Sequence, residues 1–179
     1  ALGRGVRFTV HDLNAAFGTG GDSYEEQRAI DLDNTLERKK LVVDFHSFSI
    51  KSELFAIVVD LAMIPLASSL GVKHVVYMKH NIKGGHALIN KHQGVSVEVG
   101  EHSDPKSFDT TLQIVKKLKK DGINPAKVKV YELYGKKKKK GEYINFKEKN
   151  GIIPVLYGER AYDGLGFYGM AAKEITGTI

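Results

Sequence analysis

The stretch VVDFHS, residues 42–47, has the pattern of a buried strand that ends in polar side chains. Its two valines are typical of a buried β-strand, and Asp44 and His46 lie two positions apart, so both side chains are expected on one face of that strand. In open α/β sheets, ligands bind at the carboxyl ends of the strands. His46 is therefore a candidate metal ligand, with Asp44 as the carboxylate that orients its imidazole. Structural side chains with satisfied hydrogen bonds are the alternative, which spacing alone favours.

Around this stretch, short apolar strands alternate with helical segments. Alternating valines in GVSVEVG (94–100) predict a strand. The segment 103–122 predicts a helix, because a proline lies in its first turn and lysines precede its final glycine. The same patterns predict further strands at 74–78 and 127–135, and a buried helix at 52–70. This alternation of strands and helices predicts an α/β fold.

Composition limits the class of protein. With 179 residues, 42% of them hydrophobic and 27% charged, the chain is long enough for one sizeable core. It contains no cysteine, so a bound metal would be held by His, Asp or Glu. The most apolar stretch is interrupted by Asp60 and Pro65, which predicts no membrane span and no membrane partner. No signal peptide is visible, and a cytoplasmic protein is expected.

The sequence pattern changes near residue 135. Beyond it the segments are short, extended and rich in glycine and tyrosine, which predicts an α/β domain at 1–135 and a small β-rich C-terminal subdomain at 136–179. Five consecutive lysines at 136–140 begin the second part. Such a run is a candidate nucleic-acid patch, but no aromatic residue is interleaved within it. A solvated hairpin or linker is the favoured interpretation, and we expect no nucleic-acid partner.

Two further segments contain candidate catalytic residues. Glu98 lies between two valines of a predicted strand, where an unpaired carboxylate is costly to bury. It is either a general base that acts on a metal-bound water or a residue on the exposed face of an edge strand. The segment RFTVHDLNAAF (7–17) contains Arg7, Asp12 and Asn14. Asp12 in this context is most often a turn or cap residue.

Taken in order, five segments resemble the succinylglutamate desuccinylase/aspartoacylase family, the amidohydrolase branch of the zinc carboxypeptidase fold. They are RFTVHDLNAAF (7–17), YEEQRA (24–29), VVDFHS (42–47), GVSVEVG (94–100) and IIPVLYGERAYDGLGF (152–167). These segments span nearly the whole chain. The resemblance implies an α/β zinc-carboxypeptidase-like mixed sheet flanked by helices. It also implies a zinc-dependent amidohydrolase that deacylates a small N-acyl amino acid or a related amide.

The resemblance further implies roles for six residues. His46 resembles a zinc ligand, and Glu98 the catalytic glutamate that activates water and passes its proton to the departing amine. Arg7 resembles a catalytic arginine that polarises the scissile carbonyl. Substrate binding is implied for Asn14 and, in the GERAY segment near the end, for Glu159 and Tyr162.

Two departures from the family pattern bear on activity. The family has a His-Gly-Asn-Glu-type segment with two zinc ligands upstream of RFTVHDLN, and these 179 residues contain no counterpart. Ala15 stands where the family usually has an arginine that binds a substrate carboxylate through two donors. We therefore expect an N-terminally incomplete domain, with its sheet edge covered by a partner or by assembly into a homo-oligomer. The alternative is a catalytically incompetent fragment or relative that acts as a binding or structural module.

Overall fold

The computed structural model describes residues 8–79 and 84–175. Arg7 lies outside the described residues, so its catalytic role stays a prediction. The chain divides into two compact units: the first comprises residues 1–44 and 80–94, and the second comprises residues 45–79 and 95–179. Each unit is described separately below.

Seven described strands form one mixed sheet, as the sequence predicts. Their order is β1-β4-β2-β3-β5-β7-β6. Strand β2 pairs in parallel with β3, and β3 with β5, whereas the β2–β4, β5–β7 and β6–β7 pairs are antiparallel. The bounds are β1 Val42–Phe48, β2 Phe55–Val58, β3 His74–Tyr77, β4 Gly94–Glu101, β5 Lys129–Lys136, β6 Ile153–Val155 and β7 Met170–Glu174.

Four α-helices and three short 3-10 helices lie in the described part of the chain. The α-helices are α1 Tyr24–Leu36, α2 Ile64–Ser69, α3 Leu88–Lys91 and α4 Lys106–Asp121, and the 3-10 helices are Leu13–Ala15, Leu61–Met63 and Arg160–Tyr162. Helix α4 confirms the helix predicted at 103–122, although its N-cap residue is Pro105 without a side-chain cap. Among the described helices, none has the length and apolarity that crossing a bilayer requires.

The buried helix predicted at 52–70 is wrong in its first half. Residues 55–58 form β2, and only 64–69 are α-helical. Every residue of β2 is buried, because the strand lies between β4 and β3 in the interior of the sheet. A short apolar run that is buried on both faces carries no periodicity, so the sequence could not distinguish a strand from a helix there.

Each unit has its own buried core. In the first unit, Ala16 and Phe17 pack with Ala29 of α1, and three partly buried leucines surround them. The core of the second unit follows the central strands. Fully buried side chains there include Phe48, Phe55, Val75, Val97 and Tyr131. The predicted site residues Glu98 and His46 lie on β4 and β1 of the same sheet.

Residues 136–175 are mostly turns and irregular backbone, with two short strands and one 3-10 helix. They contribute β6 and β7 to the same sheet, and β7 pairs with β5 across a register shift near Leu133. A separate subdomain that begins at residue 136 stays a prediction.

Candidate active site

Strand β4 places Glu98 inside the second unit. The side chain is 8% exposed and its neighbours Val97 and Val99 are also buried, so Glu98 does not lie on the open face of an edge strand. Across the antiparallel pair, Glu98 is opposite Phe55 of β2. A buried carboxylate next to aromatic and aliphatic side chains is a group whose proton affinity the protein environment controls. This placement fits a general acid or base.

His46 lies on the strand next to β4 in the sheet. The N–H of Val42 donates to the carbonyl of Gln93 at one end of β1, and the N–H of His102 donates to the carbonyl of Phe48 at the other end. Strands β1 and β4 therefore run in the same direction. His46 is two residues before the end of β1, and Glu98 is three residues before the end of β4. Both predicted site residues lie towards the carboxyl ends of neighbouring strands, where ligands bind in such sheets.

Glu159 is held by a network of protein hydrogen bonds. Its carboxylate accepts from the backbone N–H and from the hydroxyl of Ser49, each at 2.8 Å. It also accepts from the N–H of Ala161 at 3.1 Å, and the N–H of Arg160 donates to the Ser49 hydroxyl oxygen at 2.8 Å. Glu159 is 8% exposed. These contacts tie the GERAY segment to the end of β1, and the substrate contact that the resemblance implies for Glu159 stays a prediction.

Tyr162 is the last residue of the 3-10 helix Arg160–Tyr162, which has Glu159 as its N-cap, and its side chain is buried. Burial raises the pKa of its hydroxyl far above the usual value, and the negative charges of Glu98 and then Glu159 raise it further. The Tyr162 hydroxyl therefore stays protonated across the physiological pH range. Three of the predicted site residues, Glu98, Glu159 and Tyr162, thus lie near enough to interact electrostatically within the second unit.

Asn14 belongs to the first unit, in the 3-10 helix Leu13–Ala15. Its side-chain oxygen accepts a hydrogen bond from the N–H of Leu88 at 3.1 Å, and its own N–H donates to Asp12 at 3.0 Å. Asp12 is the N-cap of this helix, which confirms the cap role that the sequence offered for it. Asn14 therefore has a structural bond at the start of α3. Its predicted contact with substrate stays a prediction.

The residues described here do not by themselves form a zinc site. In the two ranges 8–79 and 84–175, no three His, Asp or Glu side chains lie together in a way that could hold a metal ion. Structural and catalytic zinc sites use at least three protein ligands. The described donor set therefore does not fit zinc without further ligands, and the assignment of His46 as a zinc ligand stays a prediction.

Ser49 is a site residue that the sequence does not predict. The residue follows β1 directly and makes the bonds that hold Glu159, yet nothing in the local sequence SFSI marks it. Its partner is 110 residues away, so no spacing rule could have connected the two. The nearby Ser47 hydroxyl lies 2.7 Å from His102 Nδ1, a second contact between the ends of β1 and β4 that the sequence did not indicate.

No protein-family model matches the chain, and no curated protein matches it. Solved structures do match. The succinylglutamate desuccinylase from Chromobacterium violaceum has a TM-score of 0.70 and 14% identity, over 100% of this chain and 72% of that one. Murine aminoacylase 3 has a TM-score of 0.65 and 12% identity, over 92% and 77%. The succinylglutamate desuccinylase/aspartoacylase from Rhodobacter sphaeroides has a TM-score of 0.58 and 14% identity, over 96% and 63%.

These likenesses establish the fold. The chain has the mixed α/β architecture of succinylglutamate desuccinylase/aspartoacylase proteins, so the resemblance inferred from the five sequence segments is confirmed at the level of fold. The matched structures are named succinylglutamate desuccinylase, aminoacylase 3 and aspartoacylase, and the likeness of this chain to them is one of fold. Identities of 12–14% leave the chemistry to be argued from the residues of this chain.

Proposed function

We propose that the second unit carries the acid–base part of an amide hydrolase that deacylates an N-acyl amino acid or a related small amide. The observation that supports this most directly is the burial of Glu98 and Tyr162 in the second unit, where burial, and then the charge of Glu98, raise the pKa of the Tyr162 hydroxyl. A buried carboxylate and a hydroxyl that stays protonated are the two kinds of group that amide hydrolysis needs. One group accepts and returns a proton, and the other donates hydrogen bonds to substrate oxygens.

In the proposed reaction, a water attacks the amide carbonyl carbon and its proton passes to the carboxylate of Glu98. The carbon–nitrogen bond then breaks as Glu98 returns that proton to the departing nitrogen, which yields a free amine and a carboxylic acid that loses its remaining proton to solvent. Tyr162 orients substrate through its neutral hydroxyl. Arg7 is proposed to polarise the carbonyl and Asn14 to contact the substrate, both from the family resemblance. Glu159 and Ser49 hold the segment that carries Tyr162 in place.

Zinc is proposed as the cofactor, with His46 as one of its ligands. The described residues do not complete a zinc site, so this part of the proposal depends on ligands outside them. Elemental analysis of the purified protein tests it. About one equivalent of zinc in the wild type and its loss in His46→Ala would support the assignment. Equal zinc content in the two proteins would contradict it.

The acid–base role of Glu98 is tested by substitution. We expect Glu98→Gln to lower kcat for release of free amine from N-succinyl and N-acetyl amino acids by roughly 100-fold or more, because the amide cannot accept the proton of water. Tyr162→Phe should lower kcat/KM by roughly tenfold, since it removes a single hydrogen-bonding group. The matched control is Glu101→Gln, which changes a glutamate on the same strand and should keep wild-type turnover. Full turnover by Glu98→Gln would exclude the proposed mechanism.

A second candidate function is a binding or structural module that keeps the fold without catalysis. It is favoured by the lack of a three-ligand metal cluster among the described residues and by Ala15, which lacks the two donors of an arginine. This candidate predicts no stoichiometric zinc and no shift of Tm when zinc is added. It also predicts no release of free amine from the N-succinyl and N-acetyl amino acids. Cytoplasmic localisation and a homo-oligomeric assembly stay proposals.

A further inference from the structure

The positive charge of the chain is concentrated in one short segment. Residues 136–149 contain seven lysines and two glutamates, whereas the formal net charge of the whole chain is +6. Five of these lysines are consecutive, at 136–140, and the other two are Lys147 and Lys149. The proposed deacylase chemistry uses none of them. Such a concentration of charge calls for a separate explanation.

The lysine run is held at both ends and is not a free linker. At its start, the N–H of Lys137 donates to the carbonyl of Gly169 at 2.7 Å, and the N–H of Tyr168 donates to the carbonyl of Lys137 at 2.8 Å. At its end, the N–H of Gly141 donates to the hydroxyl oxygen of Tyr157 at 2.8 Å, and that hydroxyl donates to the carbonyl of Gly141 at 2.9 Å. The backbone is therefore anchored at Lys137 and Gly141, on either side of residues 138–140.

Folding brings aromatic rings to the lysines, although none lies within the run itself. The ammonium groups of Lys136, Lys137 and Lys140 lie over the rings of Phe167, Tyr143 and Tyr168, with nitrogen-to-centroid distances of 4.8, 4.6 and 5.1 Å. Lys149 lies over Tyr143 as well, at 5.5 Å. Cation–π contacts restrict the motion of these long side chains. Part of the entropy cost of fixing the ammonium groups is therefore already met before a ligand binds.

No carboxylate among the described residues forms an ion pair with the lysines of 136–140. Lysines elsewhere on strands β5 and β7 do form ion pairs. Lys129 pairs with Glu174 at 3.4 Å, and Lys173 pairs with Glu132 at 3.0 Å. The ammonium groups of the run contact rings, which carry no net charge. Their positive charge therefore remains available to an anionic partner.

We propose that this surface binds the phosphate backbone of single-stranded nucleic acid. The lysine–tyrosine surface is defined as residues 136–140 together with Tyr143, Lys147, Lys149 and Tyr168. Three ammonium groups of the run lie over rings, and no described carboxylate pairs with any of the five, so the surface suits a flexible chain that carries one negative charge per nucleotide. The segment offers no helix for a DNA groove. Within 136–159, Ile144 is the single large hydrophobic side chain that is strongly exposed, which is little for insertion into a membrane.

Fluorescence anisotropy with labelled oligothymidine and oligouridine of about 20 nucleotides tests the proposal. The intact chain should bind both, with an affinity that falls steeply between about 50 and about 200 mM salt. Replacing Lys137, Lys138 and Lys139 together by Gln should weaken binding roughly tenfold or more at the lower salt, and should reduce the slope of log affinity against log salt by about 2, as expected for three lost phosphate contacts on a single strand. No measurable binding by the intact chain at low salt would overturn the proposal.

The matched control removes the same charge from another surface. Lys116, Lys119 and Lys120 are exposed on α4. Replacing these three by Gln should leave the affinity within about twofold of the wild type, since long-range attraction is screened by salt. Equal losses in the two triple variants would mean that general net charge drives binding, and would overturn the assignment to this surface. Binding to phosphatidylserine vesicles at lower protein concentration than to either oligonucleotide would overturn it in favour of a membrane.

Tyr143→Leu tests the contribution of the Tyr143 ring to binding while the positive charge stays the same. It keeps every lysine but removes the two ammonium–ring contacts of Lys137 and Lys149, together with the ring contact to Tyr157. We expect affinity to fall by roughly threefold to tenfold, because the freed lysine side chains must then lose their freedom of motion when the ligand binds. The far-ultraviolet circular dichroism should be unchanged. Unchanged affinity in a folded variant would overturn the role of the ring.

Discussion

Glu159 accepts hydrogen bonds from both the backbone N–H and the hydroxyl of Ser49, each at 2.8 Å, although the two residues lie 110 positions apart in the chain. Ser49 is three residues beyond His46, and Glu159 is three residues before Tyr162. One pair of side chains thus connects the strand with the candidate metal ligand to the segment with the candidate substrate tyrosine. The connection lies entirely within the second unit.

Glu159→Ala removes this connection and leaves the half-buried donors of Ser49 and the exposed N–H of Ala161 without their acceptor. We expect the free energy of unfolding to fall by about 2–3 kcal/mol, because several hydrogen bonds to one charged, buried acceptor are lost together. Urea denaturation measures the change. The control Glu148→Ala removes an exposed glutamate and should stay within about 0.5 kcal/mol of the wild type. Equal effects of the two substitutions would contradict the structural role of Glu159.

A double-mutant cycle isolates the hydroxyl bond. Ser49→Ala alone should cost about 1 kcal/mol, because it keeps the backbone N–H but removes the hydroxyl that donates to Glu159 and accepts from Arg160. In the double variant with Glu159→Ala, the costs should not add, since both changes break the same bond. Additive costs would mean that the two side chains do not act together.

The fold was predictable wherever local pattern determines structure. The valine alternation of 94–100 became β4, and the lysine-ended amphipathic segment became α4. Helix α1 was not predicted, although Ser23 and Glu26 form a capping box that the sequence signals as S-x-x-E. The helix at 52–70 was wrong because the apolar run of β2 has no periodicity.

The candidate site was predictable only in part. Glu98 could be identified as a candidate because burying an unpaired carboxylate in a strand of valines costs free energy. The link between Ser49 and Glu159 could not, because it depends on tertiary contacts between distant segments. The ring contacts of the lysine run could not be predicted for the same reason. Tyr143, Phe167 and Tyr168 lie outside the run in sequence and contact it only in the folded chain.

Gly100 is required by the backbone that follows Glu98. Its φ of +138° is a conformation that residues with a Cβ rarely adopt, and a Cβ there would lie 2.5 Å from Ser107 Oγ. That hydroxyl is fixed, because it donates to the carbonyl of Glu101 at 2.8 Å. We expect Gly100→Ala to reduce the free energy of unfolding by about 1–3 kcal/mol, measured by thermal or urea denaturation.

Two controls separate strain from collision at Gly100. Gly135 of β5 has no atom within 4 Å of its added Cβ, so Gly135→Ala should be close to neutral. Adding Ser107→Ala to Gly100→Ala removes the contact with Oγ but not the unfavourable φ, so it should recover part of the loss. A neutral Gly100→Ala variant would show that neither effect constrains this strand.

His74 makes stability depend on pH. It is 8% exposed, stacks on Phe146 at 4.3 Å, and has Tyr131 Oη 3.2 Å from its Nδ1. Burial lowers the pKa of His74 despite the opposing attraction of Glu53, and the positive charge of Lys129 lowers it further. Because the folded pKa lies below the unfolded value of about 6.5, the stability from neutral His74 is present above that pH and is lost as the pH falls through the folded value.

We therefore expect Tm to fall as the pH is lowered from about 7 to about 5, and His74→Gln to flatten this slope, because the variant has no imidazole to protonate. Differential scanning calorimetry at fixed ionic strength measures both proteins. His11→Gln removes an exposed histidine and should keep the wild-type slope. A wild-type slope in His74→Gln would assign the pH dependence to other groups.

Asn14 offers a test of structural against substrate-binding roles. Its side-chain oxygen accepts from the N–H of Leu88, the first residue of α3, so Asn14→Ala leaves that donor without its acceptor. We expect a loss of about 1 kcal/mol in the free energy of unfolding, which urea denaturation measures. Asn34→Ala, at an exposed position of α1, should be neutral or slightly stabilising, because alanine is the better helix former. Unchanged stability in Asn14→Ala would remove the structural role and leave substrate binding as its proposed role.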